Sequence, residues 1–406
     1  MAKVKPFGGW RYNPEAVPDL GQVLAPPWDV IDERKKEEFL RRSPWNMVRL
    51  IDKEADPLSV FSLWQEWRKK KILLPEEKPC FYLLKHRFFY QGRAFERLGV
   101  IVALKLEDFS TGLVRPHEQI FTHYRDNRLR LIELCKTNFS PVFLLYDDPG
   151  FSLEELADQT TWVTTASFEG ETLSLGQISR LEQISQIESF FQAKTLFIAD
   201  GHHRYQAALI HAQNHPEEKN QYVLAYLANL QSPALLLAPT HRYVPVNFSF
   251  DQSGLQVYFQ VQAQPDLPCL LASLSGDGPA SFGLWDGKSF YLLSLKDFQP
   301  ILPYLPEGKS LCWKTLDGVI LHYFLLPRFL GLPPETDRKV LFYDPVPEVV
   351  MNKRLREGRG VVFFLRPVRK EQFTAVALAG EFMPQKSTYF FPKVPTGLVV
   401  HYFGEE

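Results

Sequence analysis

The sequence predicts a mixed α/β (α+β) protein built as two lobes, on three observations. First, 406 residues exceed what a single hydrophobic core usually organises. Second, apolar runs of strand type, such as Leu98–Leu104 and Phe139–Tyr146, alternate with stretches of helical period, such as Val60–Ile72. Third, the character of the chain changes near Val246, which divides it into residues 1–245 and 246–406, the second lobe folding back to complete a cleft.

Composition narrows the function classes. A hydrophobic content of 45% and a charged content of 23% belong to an ordinary soluble globular protein. The formal net charge of -1 gives no basic field for nucleic acid, so no nucleic-acid partner is expected. The four cysteines, Cys80, Cys135, Cys269 and Cys312, form no C-x-x-C pair and point to reduced thiols in a cytoplasmic protein. The start Met1-Ala-Lys-Val-Lys5 has no apolar signal-peptide core and no later run approaches spanning length, so no membrane partner is expected. With 31 prolines and 14% aromatics, the long loops should be ordered and pinned by ring packing.

The elements follow in order. Ala25-Pro26-Pro27-Trp28-Asp29-Val30 is a rigid loop, its Trp28 covering apolar surface or its Asp29 lining a cleft mouth. A helix runs from Asp32 to about Arg42, and the amphipathic Val60–Ile72 stretch carries Phe61, Trp64 and Trp67, an aromatic stripe that reads as core. Cys80–Tyr90 and Phe95–Leu106 are strands joined at Gln91-Gly92, the second buried on both faces. A loop with Gly112, His117 and Glu118 leads past His123 to a helix over Arg125–Thr137. Phe139–Tyr146 is a strand, Leu153–Ala157 starts a helix, Trp162–Phe168 is part of a hairpin, and a helix covers about Gln177–Gln192. Strands at Tyr222–Leu230 and Ala234–Leu237 and the cluster Pro239-Thr240-His241-Arg242 end the lobe. In the second lobe, Gly283…Gly287-Lys288-Ser289 imitates a P-loop one residue too short, and Asp286-Gly287 reads instead as a hairpin turn. A helix bearing Leu316, Val319, Ile320, Tyr323 and Phe324 should stop at Pro327. Gly360–Leu365 is a strand, Lys370–Ala379 a helix, and Met383–Lys393 a proline-bounded loop.

Chemistry concentrates in Asp200-Gly201-His202-His203-Arg204. Leu196–Ala199 is the end of a buried strand, and Tyr205, Ala208, Leu209 and Ala212 begin a helix, so this turn presents an acid, two imidazoles and a guanidinium at a helix N-terminus. Unpaired N–H groups and the helix dipole favour an anion there, Arg204 offers a fork of donors for phosphate, and Gly201 permits the tight turn. Asp200 either holds a metal or caps the helix. Adjacent helical positions point about 100° apart, so His202 and His203 divide their roles, one towards ligand and one structural. Lys386, Ser387, Thr388 and Lys393 form either a second phosphate-binding group or a solvated loop.

These stretches resemble, nearly end to end, the bacterial and archaeal family called domain of unknown function ten-fifteen. The resemblance rests on Pro26–Val30, Asn46–Leu50, His117-Glu118, Asp126-Asn127-Arg128, Ile198–Tyr205, Pro239–Arg242 and Met383–Lys393, with Trp28 where tyrosine is expected and Gln119 and Gln385 inside otherwise matching motifs. The central turn is also similar to the nucleotide-contacting turn of the ParB and sulfiredoxin superfamily, which includes free-serine kinases. That likeness implies a ParB/sulfiredoxin-like mixed-sheet first lobe followed by an α+β lobe. It makes Asp200 the metal-binding or orienting acid, with Mg2+, and makes His203 and Arg204 contacts to ATP or ADP. The turn holds no cysteine, which disfavours a sulfinic-acid reductase.

The function so implied is a nucleotide-dependent phosphotransferase acting on a small hydroxyl-bearing metabolite, serine-like as the nearest guess. Glu118, Asp200 and His203 are its catalytic residues, and Gly201, His202, Arg204, Lys386 and Lys393 hold the nucleotide. Glu118 would be the general base. Two alternatives stand beside it: a nucleotide-binding regulator without turnover, and a metal-dependent hydrolase using His117, Glu118, His123 and one histidine of the turn.

Overall fold

The computed structural model describes residues 1–406 except 53, 119–121, 247–251, 275, 277, 335–340 and 406, with 122–124 described by backbone alone. Gln119 lies outside the described residues, as does the side chain of His123. The chain forms two compact units: Met1–Pro116, Ile120–Leu236 and Pro392–Glu406 in the first, His117–Gln119 and Leu237–Phe391 in the second.

Among the described residues, the first unit holds a nine-stranded mixed sheet. Its order is Val114–Arg115, Leu196–Asp200, Val142–Tyr146, Tyr222–Asn229, Arg93–Lys105, Phe81–Tyr90, Glu171–Ile178 and Thr161–Phe168, with Val4–Lys5 also pairing to Arg93–Lys105. Leu196–Asp200 runs parallel to Val114–Arg115 and antiparallel to Val142–Tyr146. The long strand Arg93–Lys105 is buried on both faces from Val100 to Leu104, as its continuous apolar run requires. One face packs Val100, Val102 and Leu104 with Ile187 and Phe191 of helix Leu181–Gln192 and with Tyr205, Ala208 and Ala212 of helix His202–Asn214. Each large apolar side chain buried this way contributes about 1.5–3 kcal/mol. Trp64 and Trp67 of helix Pro57–Lys69 are fully buried; Trp64 sits edge-on to Phe139 at 5.4 Å, so the aromatic stripe is core.

Two local expectations fail for identifiable reasons. Gln177 and Ile178 belong to a strand, because Glu171–Ile178 pairs along Phe81–Tyr90, and the helix begins only at Leu181. Pro327 does not end its helix. A π-helical turn at Leu321–Leu325 precedes it and places Pro327 in the first turn of a helical segment running on to Leu330, where a missing N–H costs little.

The second unit carries a six-stranded antiparallel sheet ordered Phe259–Gln264, Phe290–Leu295, Ser281–Trp285, Val361–Phe364, His241–Val244 and Phe342–Asp344. Tyr243, Trp285, Val362 and Phe364 pack there against Leu270 and Leu274 of helix Leu267–Leu274 and Val350 of helix Pro347–Glu357. Asp286-Gly287 is the hairpin turn between Ser281–Trp285 and Phe290–Leu295: the Asp286 carboxylate accepts from the Lys288 and Ser289 N–H groups, and Gly287 has φ 98°. No helix among the described residues is long and apolar enough to cross a membrane.

Candidate functional site

The Asp200–Arg204 turn takes its shape from the sheet. The register of Leu196–Asp200 against Val142–Tyr146 shifts between Ile198 and Asp200, and the strand gives way at once to helix His202–Asn214. Gly201 makes the joint with φ 91° and ψ 28°. That left-handed conformation penalises any residue with a Cβ, and a Cβ at this position would stand 3.0 Å from the Arg204 guanidinium. Because Gly201 is also the N-cap, no side chain caps the helix. Its positive dipole end is left to polar groups or ligands nearby.

Asp200 is the hub. One carboxylate oxygen accepts from Lys393 Nζ at 2.6 Å and the other from Arg204 Nη2, while Arg204 Nη1 donates to the Pro141 carbonyl. Burial alone would raise the Asp200 carboxyl, but Lys393 and then Arg204, with a smaller contribution from His202, outweigh it and hold the group well below the usual carboxylate range. The site is not sealed: the side chains of Asp200, Arg204 and Lys393 retain 11%, 20% and 10% of their exposure. His202 is buried and His203 half-buried, and adjacent helical positions point about 100° apart.

Lys393 reaches Asp200 because the C-terminal segment is tied to the first unit. The Pro392 carbonyl accepts from Arg97 Nη2 at 2.8 Å, Thr396 exchanges backbone hydrogen bonds with Ala25, and Val400 does so with Trp10. Arg97 is fully buried, its guanidinium over the Phe143 ring at 5.0 Å. Its Nη2 also lies 3.4 Å from His86 Nδ1, whose Nε2 meets Glu171 at 2.6 Å. Burial, the largest influence on His86, pushes it towards the neutral form, which donates to Glu171 from Nε2 and accepts from Arg97 on Nδ1.

A third cation belongs to this neighbourhood. Arg128, on helix Thr122–Cys135, donates to the Ile51 carbonyl at 3.1 Å. Burial pushes its guanidinium down to about 10, and the charge of Arg204 acts in the same direction, against Asp29 and Asp52. Asp52 itself is held by Lys36 at 2.8 Å. Two guanidinium groups that repel each other, an ammonium ion and a helix N-terminus make an environment that a polyanion would relieve. Sequence reasoning did not assign Arg128 to the site; the signal was the Asp126-Asn127-Arg128 motif, noted only for its resemblance.

The other expected residues lie in the second unit. Glu118 pairs with Met383 in a parallel bridge, and the Met383 N–H donates to the His117 carbonyl at 2.9 Å. His117 is fully buried, with Nε2 2.8 Å from Thr388 Oγ1 and its ring edge-on to Phe373 at 4.8 Å, the surroundings of a packed histidine. Lys386 has φ 55° and is exposed, and its carbonyl accepts from Arg242 Nη2 at 3.0 Å. A cavity of about 840 Å³ in this unit is lined by Thr240, Arg242, Arg366 and Arg369 among others. Asp317, also on its wall, makes a bidentate pair with Arg366 at 2.7 and 2.8 Å.

A family profile described as "Protein of unknown function (DUF1015)" matches residues 4–319. No curated protein sequence matches the chain. Among solved structures, a free serine kinase variant in complex with ADP is similar at 12% identity and a TM-score of 0.36, covering 72% of this chain and 87% of its own. SbnI with a C-terminal truncation, from Staphylococcus aureus, is similar at 11% identity and a TM-score of 0.36, covering 73% and 85%. A conserved hypothetical protein from Pyrococcus furiosus is similar at 14% identity and a TM-score of 0.33, covering 73% and 93%.

Proposed function

Because the chain belongs to the DUF1015 family, whose description carries no activity, the reading rests on the site itself, and we propose that the Asp200–Arg204 turn binds the phosphates of ATP or ADP for phosphoryl transfer. The acceptor is a small hydroxyl-bearing metabolite of the serine type. One observation carries this: a single carboxylate, Asp200, holds Lys393 and Arg204 together at an uncapped helix N-terminus. Such a cluster suits a polyanion. Phosphoryl transfer asks mostly for positioning and charge neutralisation, which these cations supply.

In the proposal Arg204, Lys393 and His203 contact phosphate oxygens, Gly201 lets the backbone approach, and Asp200 orders the two cations. His202 is a structural support. A general base takes the proton of the acceptor hydroxyl as its oxygen bonds to phosphorus and the bond to the nucleotide breaks, the role expected of Glu118 from the sequence. Mg2+ is the usual companion of such phosphates, but Asp200 fits it poorly as a ligand because both of its oxygens already meet cations. The same engagement of Asp200 favours a second reading, a nucleotide-binding regulator without turnover. Incubating the full chain with γ-labelled ATP and a panel of small alcohols, L-serine included, separates the two. Label appearing on an acceptor supports the transferase; nucleotide binding without transfer to any acceptor supports the regulator.

A further inference from the structure

The end of helix His202–Asn214 opposite the Asp200 turn carries a second, unrelated group of side chains. His211 and His215, four residues apart, lie on one face of the helix end, and Glu133 joins them from the last turn of helix Thr122–Cys135. One donor atom from each falls within 4.8 Å of the others, and the two imidazole centroids are 4.4 Å apart. The burial is graded: His211 is 1% exposed, His215 half-buried and Glu133 exposed. Neither ring nitrogen of His211 meets a hydrogen-bond partner among the described residues. A buried imidazole left in that condition loses hydration without replacement, a cost that a metal–nitrogen bond would remove.

We propose that Glu133, His211 and His215 form a binding site for one borderline divalent transition ion of the zinc type. Two imidazoles and a carboxylate are a donor set for Zn2+ or Co2+, with water completing a tetrahedron. Bonds of about 2.0–2.1 Å place such donors roughly 3.3 Å apart, a contraction that exposed Glu133 and half-buried His215 can make by rotamer adjustment. The setting favours a cation: both helices end here, so both dipoles present their negative ends, and the Glu133 carboxylate adds a full charge. Two further charges act on the His211 ring from nearby. Lys136 is the charge that opposes the ion, and Glu217 offsets it. The bound ion joins the C-terminal ends of the helices that carry Arg128 and Arg204. The inference does not depend on the nucleotide reading.

The test uses the full chain, stripped with a chelator and titrated with Zn2+ or Co2+ alone. One equivalent should bind, Co2+ should give the intense visible absorption of a tetrahedral site, and the melting temperature should rise with metal. Glu133→Gln and His215→Ala alter the exposed and half-buried ligands and spare the buried one, so the variants remain folded. Each should weaken Co2+ binding by at least about tenfold. Absence of a stoichiometric ion, or variants that bind Co2+ as the parent does, would overturn the proposal.

Discussion

Replacing Lys393 with methionine removes a charge and little volume, so it isolates what the ammonium ion contributes. Its Nζ sits 2.6 Å from Asp200 Oδ1, and the two side chains are only 10% and 11% exposed. At an effective dielectric of 20 the attraction is about 6 kcal/mol before desolvation of either group is subtracted. Removing one partner of a buried pair ordinarily costs about 3–5 kcal/mol, because the other charge is stranded. Here Asp200 keeps Arg204. The expected loss is therefore smaller, about 2–3 kcal/mol, read from urea unfolding with an unchanged m-value. The same substitution takes one charge-assisted bond from the phosphates, so affinity for ADP by calorimetry should fall by roughly 10- to 150-fold. A variant within about 0.5 kcal/mol of the parent and with the same ADP affinity would refute both the ion pair and its role in the site.

Three further outcomes follow from the same geometry. Gly201→Ala forces a Cβ into a φ of 91° and against Arg204, and should cost about 1–2 kcal/mol while weakening nucleotide binding; a neutral effect on both would show that the turn relaxes without consequence. Glu118→Gln should lower turnover by about 10²–10⁴ with little change in nucleotide affinity; the reverse pattern would make the carboxylate structural. His401 is buried, and burial followed by the charge of Lys5 pushes it down to about 4. Its ordinary value is about 6.5. Below that pH the unfolded chain takes up a proton that the folded chain refuses. Stability present above pH ~6.5 should thus fall by about 3 kcal/mol towards pH ~4, and His401→Phe should flatten the slope of the urea midpoint against pH by about one proton.

The mixed α/β class and the strand–turn–helix at residues 196–214 were legible because both depend on local pattern. The Leu196–Ala199 run, a glycine where the backbone turns left-handed and the period of Tyr205, Ala208 and Ala212 are each visible in a short window. The helix expected from Asp32 to about Arg42 is legible for the same reason and is found at Glu33–Arg42, with the Asp32 carboxylate accepting from the Lys35 N–H. What resisted reading is long-range. That Lys393 bonds Asp200 spans a separation of 193 residues along the chain and depends on Arg97 anchoring Pro392. Gln177 reads as helical until its strand partner Tyr82 is known. The Glu133, His211 and His215 group is likewise long-range, because its carboxylate comes from another helix.

The most direct test of the central claim is a calorimetric series of AMP, ADP and ATP against the full chain and against Arg204→Met. If the turn holds phosphates, affinity rises as phosphates are added, and the variant loses that gain while staying folded. Equal binding of all three nucleotides, unchanged by the substitution, would place the nucleotide elsewhere and contradict the account.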